Sequence, residues 1–248
     1  MFILRNLSVL MLMLTLHGQV RAGKIIGGHV VVPHSRPYMA LLEIKRHGNL
    51  DKHCGGFLVS EDFVMTAAHC HGKSWKSVKI YLGVHKVTTS YDNEVQILTV
   101  TKAFPHKRYH AAGFKNDIML LKLASSAKLS NNVQLVPMAN KTDGLVPKSC
   151  VVCGWGQTDR ANARLSDTLM EVNVTLADNK LCGDESDYCS KGMHGPGPGD
   201  SGGPLVCEDG RVYGVVSASR TSSHSYVYKY TNIPENRDWI DNIMIHDE

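Results

Sequence analysis

The sequence predicts an all-β protein of two packed antiparallel barrels followed by one C-terminal helix. Three observations predict it. Short apolar or alternating runs recur along the chain, each bounded by Gly, Pro or Asn turns. No helical stripe stands out before Pro234-Glu235, where Ile233, Trp239, Ile240, Ile243 and Met244 share one face. The 248 residues, less an N-terminal segment, are enough for two barrels sharing one core.

The elements follow in order. Residues 1–22 place Arg5 before an apolar stretch over 7–16 and end on Val20-Arg21-Ala22, which reads as a secretory signal peptide. Its apolar run is shorter than the roughly 20 residues a membrane span needs, and no later stretch is expected to cross a bilayer. Gly23-Lys24 separates this segment from Ile25-Ile26-Gly27-Gly28. Pro37 turns the chain into a strand over 38–44. Further strands are expected over 53–59, 78–83, 95–104 and 118–123, and the apolar run 63–66 leads into Ala67-Ala68-His69-Cys70. The polar start of 124–136 reads as the linker between barrels. Strands over 149–155, 169–176, 204–207 and 212–217 build the second barrel. The expected organisation is a signal peptide at 1–22, a pro-dipeptide at 23–24 and one folded domain at 25–248. That domain divides into an N-terminal barrel at about 25–123, the linker, and a C-terminal barrel with its helix at about 137–248.

Charge excludes one class of partner. The chain carries 27 Lys and Arg against 23 Asp and Glu. Arg5, Arg21 and Lys24 precede Ile25 without any acid among them, so the remainder has 24 basic against 23 acidic residues. That near-balance gives nucleic-acid binding no electrostatic support. The cluster from Lys102 to Arg108 reads as solvated surface, with docking to an acidic glycosaminoglycan as the alternative. Seven cysteines in a secreted chain imply bridges and one leftover thiol. Cys150-x-x-Cys153 has no second such pair with histidines, so no metal site is expected. Asn140-Lys141-Thr142 and Asn173-Val174-Thr175 are glycosylation sequons.

Three stretches carry chemistry. Gly199-Asp200-Ser201-Gly202-Gly203-Pro204 sets a serine between glycines, where the backbone can turn tightly and its N–H groups can converge on an oxyanion. Alone, it also reads as a surface loop. Thr66-Ala67-Ala68-His69-Cys70 sets a histidine beside a cysteine, and Asn116-Asp117 heads the apolar run Ile118-Met119-Leu120-Leu121. An acid at such a place is costly unless hydrogen-bonded. Pairing with an imidazole N–H would satisfy it and fix the tautomer.

In the order His69, Asp117, Ser201 these stretches resemble the triad of chymotrypsin-fold serine proteases. The octet Pro33-His34-Ser35-Arg36-Pro37-Tyr38-Met39-Ala40 and the two-residue pro-piece resemble the granzyme and mast-cell protease branch. The resemblance covers residues 25–248. It implies six-stranded Greek-key barrels and peptide-bond hydrolysis without metal or cofactor. It implies an oxyanion hole from the Gly199 and Ser201 N–H groups. It also implies activation by a cut before Ile25, whose ammonium would pair with Asp200, and Ser217 as support for the catalytic acid. The bridges it implies are Cys54–Cys70, Cys150–Cys207 and Cys182–Cys189, leaving Cys153 buried or joined to another chain. It places Gly195 at the base of the primary pocket, where trypsin-like members carry an acid, so cleavage after Arg or Lys lacks its counter-charge. Pro198, Ser217, Ala218 and Ser219 line the walls. Tyr228 stands near the floor, where glycine is usual, and could fill the pocket. Partners so implied are protein or peptide substrates and protein protease inhibitors, with no nucleic acid and no membrane. The location implied is secreted, through granules or otherwise. Two other readings stay open: a non-cleaving binding protein on this scaffold, and a digestive or plasma protease.

Overall fold

The computed structural model describes residues 25–46, 52–72, 75–144, 146–183 and 186–247. The expected signal peptide and Gly23-Lys24 lie outside the described residues. The first barrel is built from β2 (Met39–Arg46), β3 (Lys52–Leu58), β4 (Phe63–Thr66), β5 (Trp75–Leu82), β6 (Gln96–Pro105) and β7 (Met119–Leu123). Its strands close in the order β2-β3-β4-β7-β6-β5, all neighbours antiparallel. Continuous apolar runs such as Phe63-Val64-Met65-Thr66 are buried along their whole length. Leu42, Ile44, Phe57, Met65, Ile80, Leu82 and Leu120 fill the interior.

The second sheet contains β1 (His29–Val30), β8 (Ser149–Gly154), β11 (Met170–Thr175), β12 (Tyr188–Gly192), β13 (Pro204–Cys207), β14 (Val212–Ser222) and β15 (Ser225–Asn232). Its order is β1-β11-β8-β13-β14-β15-β12. A bridge between Leu176 and Ser190 joins the end of β11 back to β12. Six strands thus curl into the second barrel, with β1 flanking β11. β11 alternates as its sequence requires, with Met170, Val172 and Val174 buried and Asn173 and Thr175 exposed. A small hairpin, β9 (Gln157–Asp159) and β10 (Asn162–Leu165), projects between β8 and β11.

The chain ends cross over. β1 lies near the N-terminus yet pairs with Glu171 and Met170 of the second sheet. Helix α1 (Ile233–His246) follows the second barrel, yet its Ile233 and Ile240 join the cluster that fills the first. The Asn232 side chain caps α1 by accepting from the Glu235 N–H at 3.0 Å, and Pro234 sits in the first turn, where a missing N–H costs nothing. Cys54–Cys70, Cys150–Cys207 and Cys182–Cys189 are bonded. Cys153 is free and buried, and burial pushes its thiol up to about 12. Among the described residues, no helix is long and apolar enough to cross a membrane.

Candidate active site

The site begins at a buried acid. Asp117 lies just before β7 and is fully buried. Asn116 has a left-handed φ of 49°, so the chain swings inward as it enters the strand. The backbone N–H of His69 donates to Asp117 Oδ1 at 2.8 Å, and the ring Nδ1 lies 2.7 Å from Oδ2. Ser217 Oγ donates to Oδ2 at 2.7 Å, and Thr231 Oγ1 donates to the Asp117 carbonyl at 3.2 Å. Three donors on one buried carboxylate keep it from being an unpaired charge. They also demand the proton on Nδ1, which leaves Nε2 as the basic nitrogen facing out.

His69 is held from the other side as well. It sits in a short 3₁₀ turn, Ala68–Cys70, directly after β4. The bond from Cys70 to Cys54 ties that turn to β3. The Phe114 ring meets the imidazole edge-on at 5.4 Å between centroids.

Ser201 lies on a separate turn anchored to both barrels. The Ser201 carbonyl accepts from Gly55 of β3 at 2.8 Å, and the Gly202 N–H donates to the Val216 carbonyl of β14 at 2.8 Å. Gly199 has φ 98°, a left-handed conformation, and a Cβ there would stand 2.9 Å from Gly156 Cα. His69 and Ser201 line one cleft of about 300 Å³ together with Phe114, residues 196–198 and residues 216–219. A basic nitrogen and a hydroxyl lining one cleft are the groups needed to transfer a proton and attack a bound carbonyl.

Asp200, next to Ser201, points the opposite way. It is fully buried, with Oδ1 accepting from the Gly156 N–H at 2.7 Å and Oδ2 from the Gly197 N–H at 2.8 Å. A Cβ on Gly156 would stand 2.4 Å from this carboxylate, so the approach requires glycine. Burial pushes the Asp200 carboxyl up to about 7, against the pull of the two N–H donors. Ile25 is also fully buried, in the cluster that holds Val152, Leu205 and Tyr230. Ile26 bridges Gly195, whose N–H donates to the Ile26 carbonyl at 3.1 Å.

The expected pocket residues divide. Pro198, Ser217, Ala218 and Ser219 line the cleft. Gly195 and Tyr228 do not: the Tyr228 ring packs against Gly195, fully buried. Sequence reasoning missed Phe114, Arg160 and Lys229. Phe114 stands three residues before Asp117 without any motif of its own. Lys229 is buried in an ion pair with Asp187 at 2.8 Å and donates to the Gly113 carbonyl at 3.1 Å. It lines a second cavity of about 430 Å³ that shares Phe114, Ala218 and Ser219 with the cleft. Tyr226, Tyr228 and Tyr230 alternate around Lys229, but nothing local marks the lysine as buried.

Two antiparallel barrels with one cleft lined by His69 and Ser201, and His69 held by a buried carboxylate, form the scaffold of a serine endopeptidase. The comparisons agree. A family model described as Trypsin matches residues 25–240. Mast cell protease 2 of Meriones unguiculatus is 39% identical over 248 residues, covering 96% of this chain and 98% of the relative. Granzyme B of Rattus norvegicus is 37% identical over 251 residues, with the same coverage of 96% and 98%. A solved structure titled "Structure of GrC" superposes with a TM-score of 0.78 at 35% identity, covering 90% of this chain and all of that one. The chain belongs to the trypsin family.

Proposed function

We propose that this chain is a secreted or granule-stored endopeptidase that becomes active when it is cut before Ile25. Ser201 Oγ attacks the scissile carbonyl carbon while His69 Nε2 takes its proton. The Gly199 and Ser201 N–H groups bind the oxyanion, and Asp117 stabilises the imidazolium. Collapse breaks the C–N bond as His69 returns the proton to the leaving amine. Water, deprotonated by His69, then hydrolyses the acyl-enzyme and restores Ser201. The observation that carries this reading is the fully buried Asp117 carboxylate, 2.7 Å from His69 Nδ1 and 2.7 Å from Ser217 Oγ.

Cutting before Ile25 converts a neutral amide into an ammonium. Ile25 and Asp200 are both buried, and Asp200 accepts two N–H bonds but forms no ion pair among the described residues. An ammonium reaching it would supply the missing charge and stiffen the turn that carries Gly199. Substrates are proteins or peptides, and protein protease inhibitors would occupy the same cleft. Exposed Asn140 and Asn173 support glycosylation. A second reading, a binding protein that does not cleave, draws on Tyr228 filling the place of the primary pocket.

The deciding experiment processes the chain to Ile25 and follows peptide hydrolysis. Activity that appears with the cut and vanishes in Ser201→Ala supports the endopeptidase. A folded, processed chain that hydrolyses no peptide in a broad library sinks it in favour of the binder.

A further inference from the structure

Tyr228, which the resemblance sets near the floor of the primary pocket, is fully buried with its ring against Gly195. It stands on β15 opposite Ser219 of β14 and Ser190 of β12. Its ring lies so close to Gly195 that a Cβ there would come within 2.5 Å of two ring carbons. The phenol is also held at its far end. The Arg160 guanidinium donates to the Tyr228 oxygen, and the Tyr228 O–H points at the Met193 carbonyl at 3.5 Å. Arg160 donates to that same carbonyl at 3.3 Å and stacks 3.3 Å from the centroid of the Tyr226 ring.

Both ends of the ring are therefore fixed. Packing against Gly195 sets its plane, and a cationic donor sets its tip. Interiors pack at the density of organic crystals, so a second large side chain cannot share this space. What remains in front is the cleft at 196–198 and 216–219, and Ser219 contributes a side chain to its wall.

We propose that Tyr228, tethered by Arg160, plugs the primary pocket and restricts cleavage to bonds that follow a small residue: Gly, Ala or Ser. The proposal rests on the endopeptidase reading and names the substrate class of that same site. It makes Tyr228 the specificity-determining residue and Arg160 its positioning residue.

The test profiles the processed chain on peptides that differ only in the residue before the scissile bond. Wild type is expected to cleave after Ala about 10²-fold faster in kcat/KM than after Phe or Leu, the range over which pocket size discriminates. Tyr228→Gly is expected to gain cleavage after Phe, while Tyr228→Phe keeps the ring and keeps the preference. A second arm needs no catalysis. In a Ser201→Ala background, indole is expected to stabilise Tyr228→Gly thermally and to leave the chain with Tyr228 unchanged, because an emptied apolar cavity takes an aromatic guest. Efficient wild-type cleavage after Phe, Leu or Lys overturns the plug while leaving the endopeptidase intact. Indole binding with Tyr228 in place overturns it whether or not the chain cleaves. A processed chain that cleaves nothing, yet binds indole only as Tyr228→Gly, sinks the endopeptidase reading and keeps the plug.

Discussion

Asp200 is expected to contribute a loss of stability to the uncut chain as the pH rises from 4 to 7. Its carboxyl has an ordinary value of 3.8 and is pushed up to about 7 by burial in the folded chain. The folded form therefore holds a proton that the unfolded form releases between those pH values. Stability falls wherever the folded state binds more protons, so the contribution of Asp200 is lost as pH climbs through this window. About three pKa units at about 1.4 kcal/mol each give on the order of 4 kcal/mol. Asp200→Asn removes the titration while keeping an oxygen that accepts one of the two N–H bonds. Urea unfolding of both chains at pH 4, 5, 6 and 7 isolates the effect, since all other groups titrate alike in each. The gap between them is expected to change by about that amount in the uncut form, to the disadvantage of wild type at pH 7. After the cut, an opposite charge beside the carboxylate favours its ionised form and the pH-dependent gap shrinks or reverses. Equal pH slopes for wild type and Asp200→Asn, before and after processing, refute the reasoning.

Two further outcomes follow from the Asp117 cluster. Asp117→Asn presents an amide to the imidazole, favours the wrong tautomer, and is expected to lower kcat by about 10⁴ with the fold intact by circular dichroism. Ser217→Ala deletes one of three donors to a fully buried carboxylate and is expected to cost about 1.5–3 kcal/mol in urea unfolding, with a smaller loss of kcat than Asp117→Asn.

Much of this architecture was legible in the sequence where the signal is local. The strand Pro204–Cys207 matches its expected bounds, because its short run is set off by the glycines before it and the Glu208-Asp209-Gly210 turn after it. The helix start at Pro234-Glu235 was legible from the apolar stripe that follows it, while the capping role of Asn232 shows only in the fold. Strand β12 was not: Tyr-Cys-Ser-Lys-Gly has no alternation, and its extended form is imposed by pairing with β15. Strand β14 runs past the expected 217 to Ser222 through polar residues for the same cause, since β15 folds back along it. Strand β15 itself carries alternating Tyr226, Tyr228 and Tyr230, a period-2 signal that reading the stretch as a pocket floor obscured. Assigning the first residues to the N-terminal barrel missed the crossover of β1, because a two-residue strand has no pattern to declare its partner.

The site divides in the same way. His69, Asp117 and Ser201 each sit in a short motif, and the fold brings His69 and Ser201 to one cleft with Asp117 buried against His69. Arg160 gave no sign of itself, lying in a polar hairpin 68 residues from the hydroxyl it holds. Lys229 pairs with Asp187 only because β12 and β15 run side by side. Such contacts are products of the fold, and no local pattern encodes them.

The central claim is that Ser201 is a hydroxyl made nucleophilic by an imidazole which a buried acid holds in place. Its most direct measurement is covalent trapping: the processed chain is treated with a fluorophosphonate and the adduct is mapped by mass spectrometry. The account predicts one adduct per chain on Ser201, absent from Ser201→Ala and slowed strongly in Asp117→Asn. A folded, processed chain that carries no adduct, or carries it on another residue, contradicts it.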